Sequence, residues 1–295
     1  MIPASLRQKV LRVFGPPAGQ WLENLPGLLD ACIQKWNLHD CSPSPIMSHN
    51  MICFASSPEF GDVVLKIGFP HRELYTEKDA LALFSGRNIC QIFAWDESLG
   101  AMLLERISPG RDLTTLNNKD QRVSAAAILA AELPVQVPES HNFPLFSELI
   151  SRAFKRQRQE GAYPEMLQYM DAAQQAYARL SAGRPQVLLH GDLNHWNILS
   201  HNGQWKAIDP KGIIGPACME PARFMQNQLR ISSWQELHEL AAAMGAAIGE
   251  PPSVAIDAVF VDTVLGTCWS MEEHQQKDRS SDVALCGFLH QALST

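Results

Sequence analysis

The dipeptide Asn202-Gly203 constrains this chain more than any other feature. It lies between the apolar-polar runs Ile198–His201 and Gln204–Ile208. Asn-Gly is the preferred pair for a two-residue hairpin turn, because both positions need a positive φ. A two-residue loop there pairs His201 with Gln204. Counting back, Asn197 lies opposite Ile208 and beside Asp209. Turn chemistry alone therefore brings an amide oxygen and a carboxylate to the open end of one hairpin. Both are hard oxygen donors suited to Mg²⁺. Asp192, five residues before Asn197 in a loop opened by Gly191, is expected to project towards the same point, where its carboxylate could orient a hydroxyl and accept its proton.

The 295 residues suit one two-lobed enzyme or two small domains, and 46% apolar with 19% charged residues excludes wholesale disorder. The net charge is −7, with no Lys/Arg-rich block, so nucleic acid is not an expected partner. Residues 210–295 hold ten acids against five bases, which suits a cationic small molecule or simply a solvated acidic face. The seven cysteines, at 32, 41, 53, 90, 218, 268 and 286, are scattered without a Cys-x-x-Cys, as expected of reduced thiols in a cytoplasm. The start, Met1-Ile2-Pro3-Ala4-Ser5, has no basic region before an apolar run, so no secretory leader is expected. The small-apolar stretch around Ala125–Ala131 is too short to cross a bilayer, and no membrane partner is expected.

Along the chain, the first forty residues read as helix in pieces, punctuated by Gly15-Pro16-Pro17 and Pro26-Gly27. From about 46 to 107 the period is that of strands, with Asp62–Ile67 a short β-branched run and Ile89–Trp95 paired with Ala101–Ile107. Glu73–Phe84 reads as a helix between them. After Pro109-Gly110, helical patterns at 119–132, 146–160 and 164–182 are interrupted by strands at 186–209 and then resume. The expected class is α+β in two lobes, a β-rich lobe over residues 1–107 and a mainly helical one over 108–295.

The N-terminal half supplies a second charged feature. Lys66 closes a buried-looking strand. On the next helix Leu74, Glu77, Leu81 and Phe84 fall on one stripe, so Glu77 sits on an apolar face and needs a partner. Lys66 is the natural one, and Glu73, one turn earlier, is the competing partner.

A loop Asp, an Asn five residues on and a later Asp before a Gly, preceded by a strand Lys and a helix Glu, is the order found in kinases. Here the chain resembles the aminoglycoside phosphotransferases, which share a protein-kinase-like fold, and within them the streptomycin 6-kinase and hydroxyurea kinase branch. The residues that carry the resemblance are Val64–Pro70, Leu103–Arg106, His190–Leu193, Asn197–Leu199 and Ile208–Gly212. It covers residues 45–230 well. The resemblance implies Asp192 as the catalytic residue, Asn197 and Asp209 as Mg²⁺ ligands, and Lys66 with Glu77 as the pair that anchors phosphates. It places the backbone of Glu105, Arg106 and Ile107 at the hinge against adenine. The substrates implied are ATP and a hydroxyl of a streptomycin-type aminoglycoside. The alternatives are a kinase of another small metabolite, such as hydroxyurea or a sugar or amine, and a catalytically silent nucleotide-binding module.

Two positions depart from the family pattern. Asn194 stands where relatives carry a His, and Trp196 where a smaller residue is usual. The turn Ser48–Met51 lacks a glycine-rich phosphate loop, so Ser48 and Asn50 are the expected side-chain donors there. Other polar residues have two readings. Glu220, Glu272 and Glu273 line a cationic acceptor pocket or are surface charge. His195 is a loop surface residue or touches the acceptor. His190 fixes the loop by hydrogen bonds. Lys211 neutralises phosphate or makes a salt bridge. Trp196, Trp205, Trp234 and Trp269 are core by default.

Overall fold

The alternation at Asp62–Ile67 becomes the middle strand of a five-stranded antiparallel sheet. The computed structural model describes residues 3–161, 163–229, 233–273 and 280–293, the side chain of Glu273 excepted. They divide into two units, Met1–Gly110 and Arg111–Thr295.

The first unit opens with helices α1 (Ala4–Phe14) and α2 (Ala18–Lys35). Strands β1 (His39–Pro43), β2 (Met51–Ser57) and β3 (Gly61–Ile67) follow, then helix α3 (Arg72–Phe84) and strands β4 (Ile92–Asp96) and β5 (Ala101–Glu105). The sheet order is β1-β2-β3-β5-β4. Period-two alternation sorts the faces of β3. Val63, Leu65 and Ile67 join Cys53, Ala55 and Leu103 in a core closed by Leu6, Val10, Leu22 and Leu25 of the two N-terminal helices. Lys66 therefore belongs to the other face. The break expected at Pro26-Gly27 does not occur: α2 runs through both residues. Its buried stripe of Trp21, Leu22, Leu25 and Cys32 on the sheet outweighs the one backbone bond a helical proline forfeits.

A short strand, β6 (Pro109–Asp112), spans the boundary. The second unit comprises α4 (Lys119–Glu132), β7 (Val135–Gln136), α5 (Phe146–Glu160) and α6 (Pro164–Ser181), then strands β8 (Gln186–Leu189), β9 (Ile198–His201), β10 (Gln204–Ala207) and β11 (Ile213–Pro216). Helices α7 (Ala222–Gln228), α8 (Trp234–Ile248), α9 (Pro252–Glu273) and α10 (Ser280–Ala292) complete it. Strands β11, β8 and β7 form a small antiparallel sheet, and β9 and β10 form the hairpin. Helix α9 is the hub, packed against α5, α6, α7, α8 and α10. It is also long and apolar enough, by length and composition, to cross a bilayer, so the reading from Ala125–Ala131 missed the relevant stretch. Most of α9 is buried among its neighbours, and Asp262 sits near its middle. None of the seven cysteines, all among the described residues, is in a disulfide. Burial pushes the thiols of Cys32 and Cys268 up to about 12, which keeps them protonated and unreactive.

Candidate active site

The hairpin forms in the register that its turn dictates. His201 pairs with Gln204 and Ile198 with Ala207, and both turn residues are left-handed, Asn202 at φ 50° and Gly203 at φ 79°. The Ile208 amide then donates to the Asn197 carbonyl at 2.9 Å, which places Asn197 and Asp209 side by side in the chain path. Asp209 itself has φ 61°, a conformation that L-residues other than Asn and Asp seldom hold.

The loop before the hairpin is tied at several points. Gly191 is left-handed at φ 76°, and a Cβ there would come within 2.7 Å of Ile213 Cδ1, so no larger residue fits. The fully buried His190 ring donates from Nε2 to the Ile208 carbonyl at 2.9 Å and accepts the Asp192 amide on Nδ1 at 3.2 Å. Burial depresses its basicity and keeps it neutral. This is the loop-fixing role read from sequence. Asn194, the departure from the family pattern, caps the short helical turn His195–Asn197: its Oδ1 accepts the amides of Trp196 at 3.0 Å and Asn197 at 3.1 Å. The Asn197 Nδ2 donates to the Asp192 carbonyl at 2.9 Å and faces Asp192 Oδ2 at 3.4 Å.

Of the acidic residues read as pocket wall or surface charge, Glu220 turns inward. Glu220 is buried, and its carboxylate accepts the amides of His190 at 2.7 Å and Gly191 at 3.3 Å, so it holds the loop from behind. Glu272 pairs with Arg156 at 3.2 Å. The side chain of Glu273 lies outside the described residues. His195 is buried rather than at the surface. It stacks on Phe224 with ring centroids 4.5 Å apart, and its Nε2 donates to Gln228 Oε1 at 2.9 Å. Trp196, assigned to the core by default, is 59% exposed, and Trp234 is also exposed. Lys211 makes a cation–π contact that the sequence did not show. Its ammonium lies over the Trp269 ring, 5.0 Å from the centroid.

Two residues beside Asp192 escaped the sequence reading. Arg223 Nε lies 3.7 Å from Asp192 Oδ1, and its Nη2 donates to Asp262 Oδ1 at 3.2 Å. The available signal was Asp262 itself, a lone carboxylate within the apolar run Val259–Leu265, where a charge needs a partner.

In the first unit Lys66 Nζ donates to both carboxylate oxygens of Glu77, at 2.6 and 2.7 Å, and both side chains are buried. Glu77 lies with Leu74, Leu81 and Phe84 on the buried stripe, whereas Glu73 is exposed. Asn50 is buried with its Oδ1 unpartnered, over Gly68, and Ser48 is exposed in the same bend. The side chains at 105 and 106 are used locally. Glu105 Oε2 accepts the Gln91 amide at 3.0 Å, and the Arg106 guanidinium lies over Phe54. Ile107 is buried. Any hinge role of these three rests on backbone.

The donors at the hairpin end fit a divalent cation. No described hydrogen bond uses Asn197 Oδ1, and Asp209 adds a carboxylate. Among the described residues no three His, Cys, Asp or Glu side chains form a metal cluster. An amide oxygen and a carboxylate are hard donors of the kind that suits Mg²⁺, an ion that keeps most of its shell as water and phosphate oxygen.

Residues 48–271 match the family model described as aminoglycoside/hydroxyurea antibiotic resistance kinase. The chain belongs to this family. It is a phosphotransferase that acts on a hydroxyl group of a small molecule. It is 28% identical over 235 residues to a hydroxyurea phosphotransferase of Kitasatospora aureofaciens, covering 78% of this chain and 69% of that one. It is 25% identical over 218 residues to a streptomycin 6-kinase of Streptomyces glaucescens, covering 72% and 71%. In fold it is similar to a choline/ethanolamine kinase family protein from Mesorhizobium loti, with a TM-score of 0.67 at 13% identity over 90% of this chain and 97% of that one. The fold is accordingly protein-kinase-like, a β-rich unit followed by a helical one.

Proposed function

We propose that this kinase transfers the γ-phosphoryl group of MgATP to a hydroxyl of a streptomycin-type aminoglycoside. The observation that carries the transfer chemistry is the hairpin register, which sets Asn197 and Asp209 together beside the loop that bears Asp192. In this reading Asp192 orients the acceptor hydroxyl and takes its proton, while Lys66, held by Glu77, anchors nucleotide phosphates. Asn197 and Asp209 would hold Mg²⁺, which neutralises charge on the phosphates when bound. Ser48 and Asn50, with the backbone of Glu105 to Ile107, serve the nucleotide. The streptomycin assignment is supported by the kinship with streptomycin kinases.

A second reading is favoured by a specific observation. Arg223 lies beside Asp192, and Lys211 and Arg223 share the Trp269 ring. A guanidinium this close to the catalytic carboxylate, with a second cation on the same ring, suits a compact uncharged acceptor, such as hydroxyurea, better than a polycation. A coupled ATP-consumption assay against streptomycin, other aminoglycosides, hydroxyurea and simple sugars and amines decides between them. Turnover of streptomycin with an apparent KM that rises with salt supports the first reading. Turnover of hydroxyurea alone supports the second. No turnover of any hydroxyl compound, with ATP bound, returns the silent nucleotide-binding module.

A further inference from the structure

The Arg223 guanidinium is held on three sides. Nη2 donates to Asp262 Oδ1 at 3.2 Å, Nη1 donates to Gln226 Oε1 at 2.9 Å, and the cation lies 6.0 Å from the centre of the Trp269 ring. A further donor, Nε–H, is buried and makes no hydrogen bond. That donor lies 3.7 Å from Asp192 Oδ1, less than an ångström beyond hydrogen-bond length. Asp262, which fixes the fork from α9, is itself only 4% exposed. Room for the fork comes from Gly266, one turn on. A Cβ there would approach Arg223 Nη1 to 3.1 Å and Gln226 Nε2 to 3.4 Å.

An ion pair serving only to pin α7 to α9 would need Nη2 alone. It would not require a guanidinium with a further buried N–H that makes no hydrogen bond and lies 3.7 Å from the loop carboxylate. A lysine would satisfy Asp262 but could not present three donors along fixed directions. We propose that Arg223 is a positioning residue for Asp192, resting on the kinase reading above. Its Nε–H closes on Oδ1 when the acceptor docks and leaves Oδ2 to receive the hydroxyl proton. The acceptor oxygen then bonds to the γ-phosphorus, the bond from that phosphorus to the β–γ bridging oxygen breaks, and ADP leaves. Asp262 and Gly266 act one step further back, by setting the angle of the fork.

The test uses the full chain and whichever acceptor the wild type turns over. In Arg223→Gln, kcat is expected to fall about 100-fold, the cost of a misplaced catalytic group, with KM for MgATP unchanged. In Arg223→Ala, millimolar guanidinium is expected to restore part of kcat, which loss of a merely structural tie would not allow. Gly266→Ala keeps every charge and pushes the fork. It is expected to lower kcat about tenfold at unchanged Tm, and it decides the matter where the Arg223 variants do not fold. An Arg223→Gln kcat within about twofold of wild type overturns the proposal. So does a normal kcat in Gly266→Ala together with no guanidinium rescue. In both cases wild-type turnover persists and the kinase reading stands. A wild type that phosphorylates none of the panel removes that reading, and this inference with it.

Discussion

The backbone N–H of Asp192 hangs on the Nδ1 of His190, two residues earlier, at 3.2 Å. The same ring reaches the Ile208 carbonyl through Nε2, so one imidazole ties the Asp192 loop to the strand that leads to Asp209. Both bonds require the neutral tautomer with its proton on Nε2. Protonation would turn Nδ1 from acceptor to donor and set it against the Asp192 amide.

A pH dependence follows from this tie. Burial lowers the His190 pKa below the ordinary 6.5, against the opposing pull of Asp192 and Asp209 and with the help of Lys211. As pH falls below 6.5 the unfolded chain binds this proton before the folded one does. The stability His190 contributes is therefore full above 6.5 and is lost on acidification. Thermal melts of wild type and His190→Gln from about pH 7 to pH 5 should differ in slope, with the wild type losing more. Parallel slopes would mean that the ring carries no such linkage.

Asp209→Asn separates charge from shape. Asn tolerates the left-handed φ of 61° as well as Asp does, so the backbone is kept while an anionic oxygen donor is withdrawn. Phosphoryl transfer should fall by roughly 10³-fold, since several kcal/mol of charge stabilisation depend on the cation. The Tm should stay within a few degrees of wild type. Residual turnover within about tenfold would remove Asp209 from the metal site.

The site was legible where local chemistry decides geometry. Asn202-Gly203 dictates a register, and that register delivers Asn197 and Asp209 whatever the rest of the chain does. The stripe Leu74, Glu77, Leu81 and Phe84 likewise shows that Glu77 faces inward. Long-range partners were not legible. Glu220 and His190 are thirty residues apart, and Arg223 and Asp262 thirty-nine, so only the packing of α7 and α9 against the loop brings them together. Hence Glu220 read as pocket wall and Arg223 went unread. Pro26 misled for the converse reason, because a local helix breaker lost to a buried face formed by tertiary packing.

The Lys66–Glu77 pair should show two separable effects. Both side chains are buried, so Lys66→Met leaves the Glu77 carboxylate inside without its main cation, which costs about 3–5 kcal/mol. The double variant Lys66→Met, Glu77→Leu replaces the pair by apolar groups and should recover most of that stability. Activity should be lost in both, because no ammonium remains to meet phosphate. Denaturant melts set beside single-turnover assays check this. An active double variant would mean that the pair is purely structural.

Glu220 gives a prediction of opposite sign at the same loop. Its carboxylate accepts the amides of His190 and Gly191, yet burial outweighs both bonds and pushes its pKa from 4.5 up to about 7. Between these values the folded state holds a proton that the unfolded state has released. Glu220 therefore stabilises fully below about 4.5, and its contribution is lost as pH rises through about 7. The displacement corresponds to roughly 3 kcal/mol. Glu220→Gln keeps an acceptor oxygen for one of the two loop amides, sets its NH2 against the other, and cannot ionise. Relative to wild type, this variant should gain stability as pH is raised from about 4.5 to 7.5, by an amount of that order. It should also retain kcat, since Glu220 is buried and meets the loop through backbone amides. A stability difference that stays flat with pH would show that the two amide bonds hold Glu220 ionised throughout. A selective rise in acceptor KM at constant kcat would return Glu220 to the pocket wall.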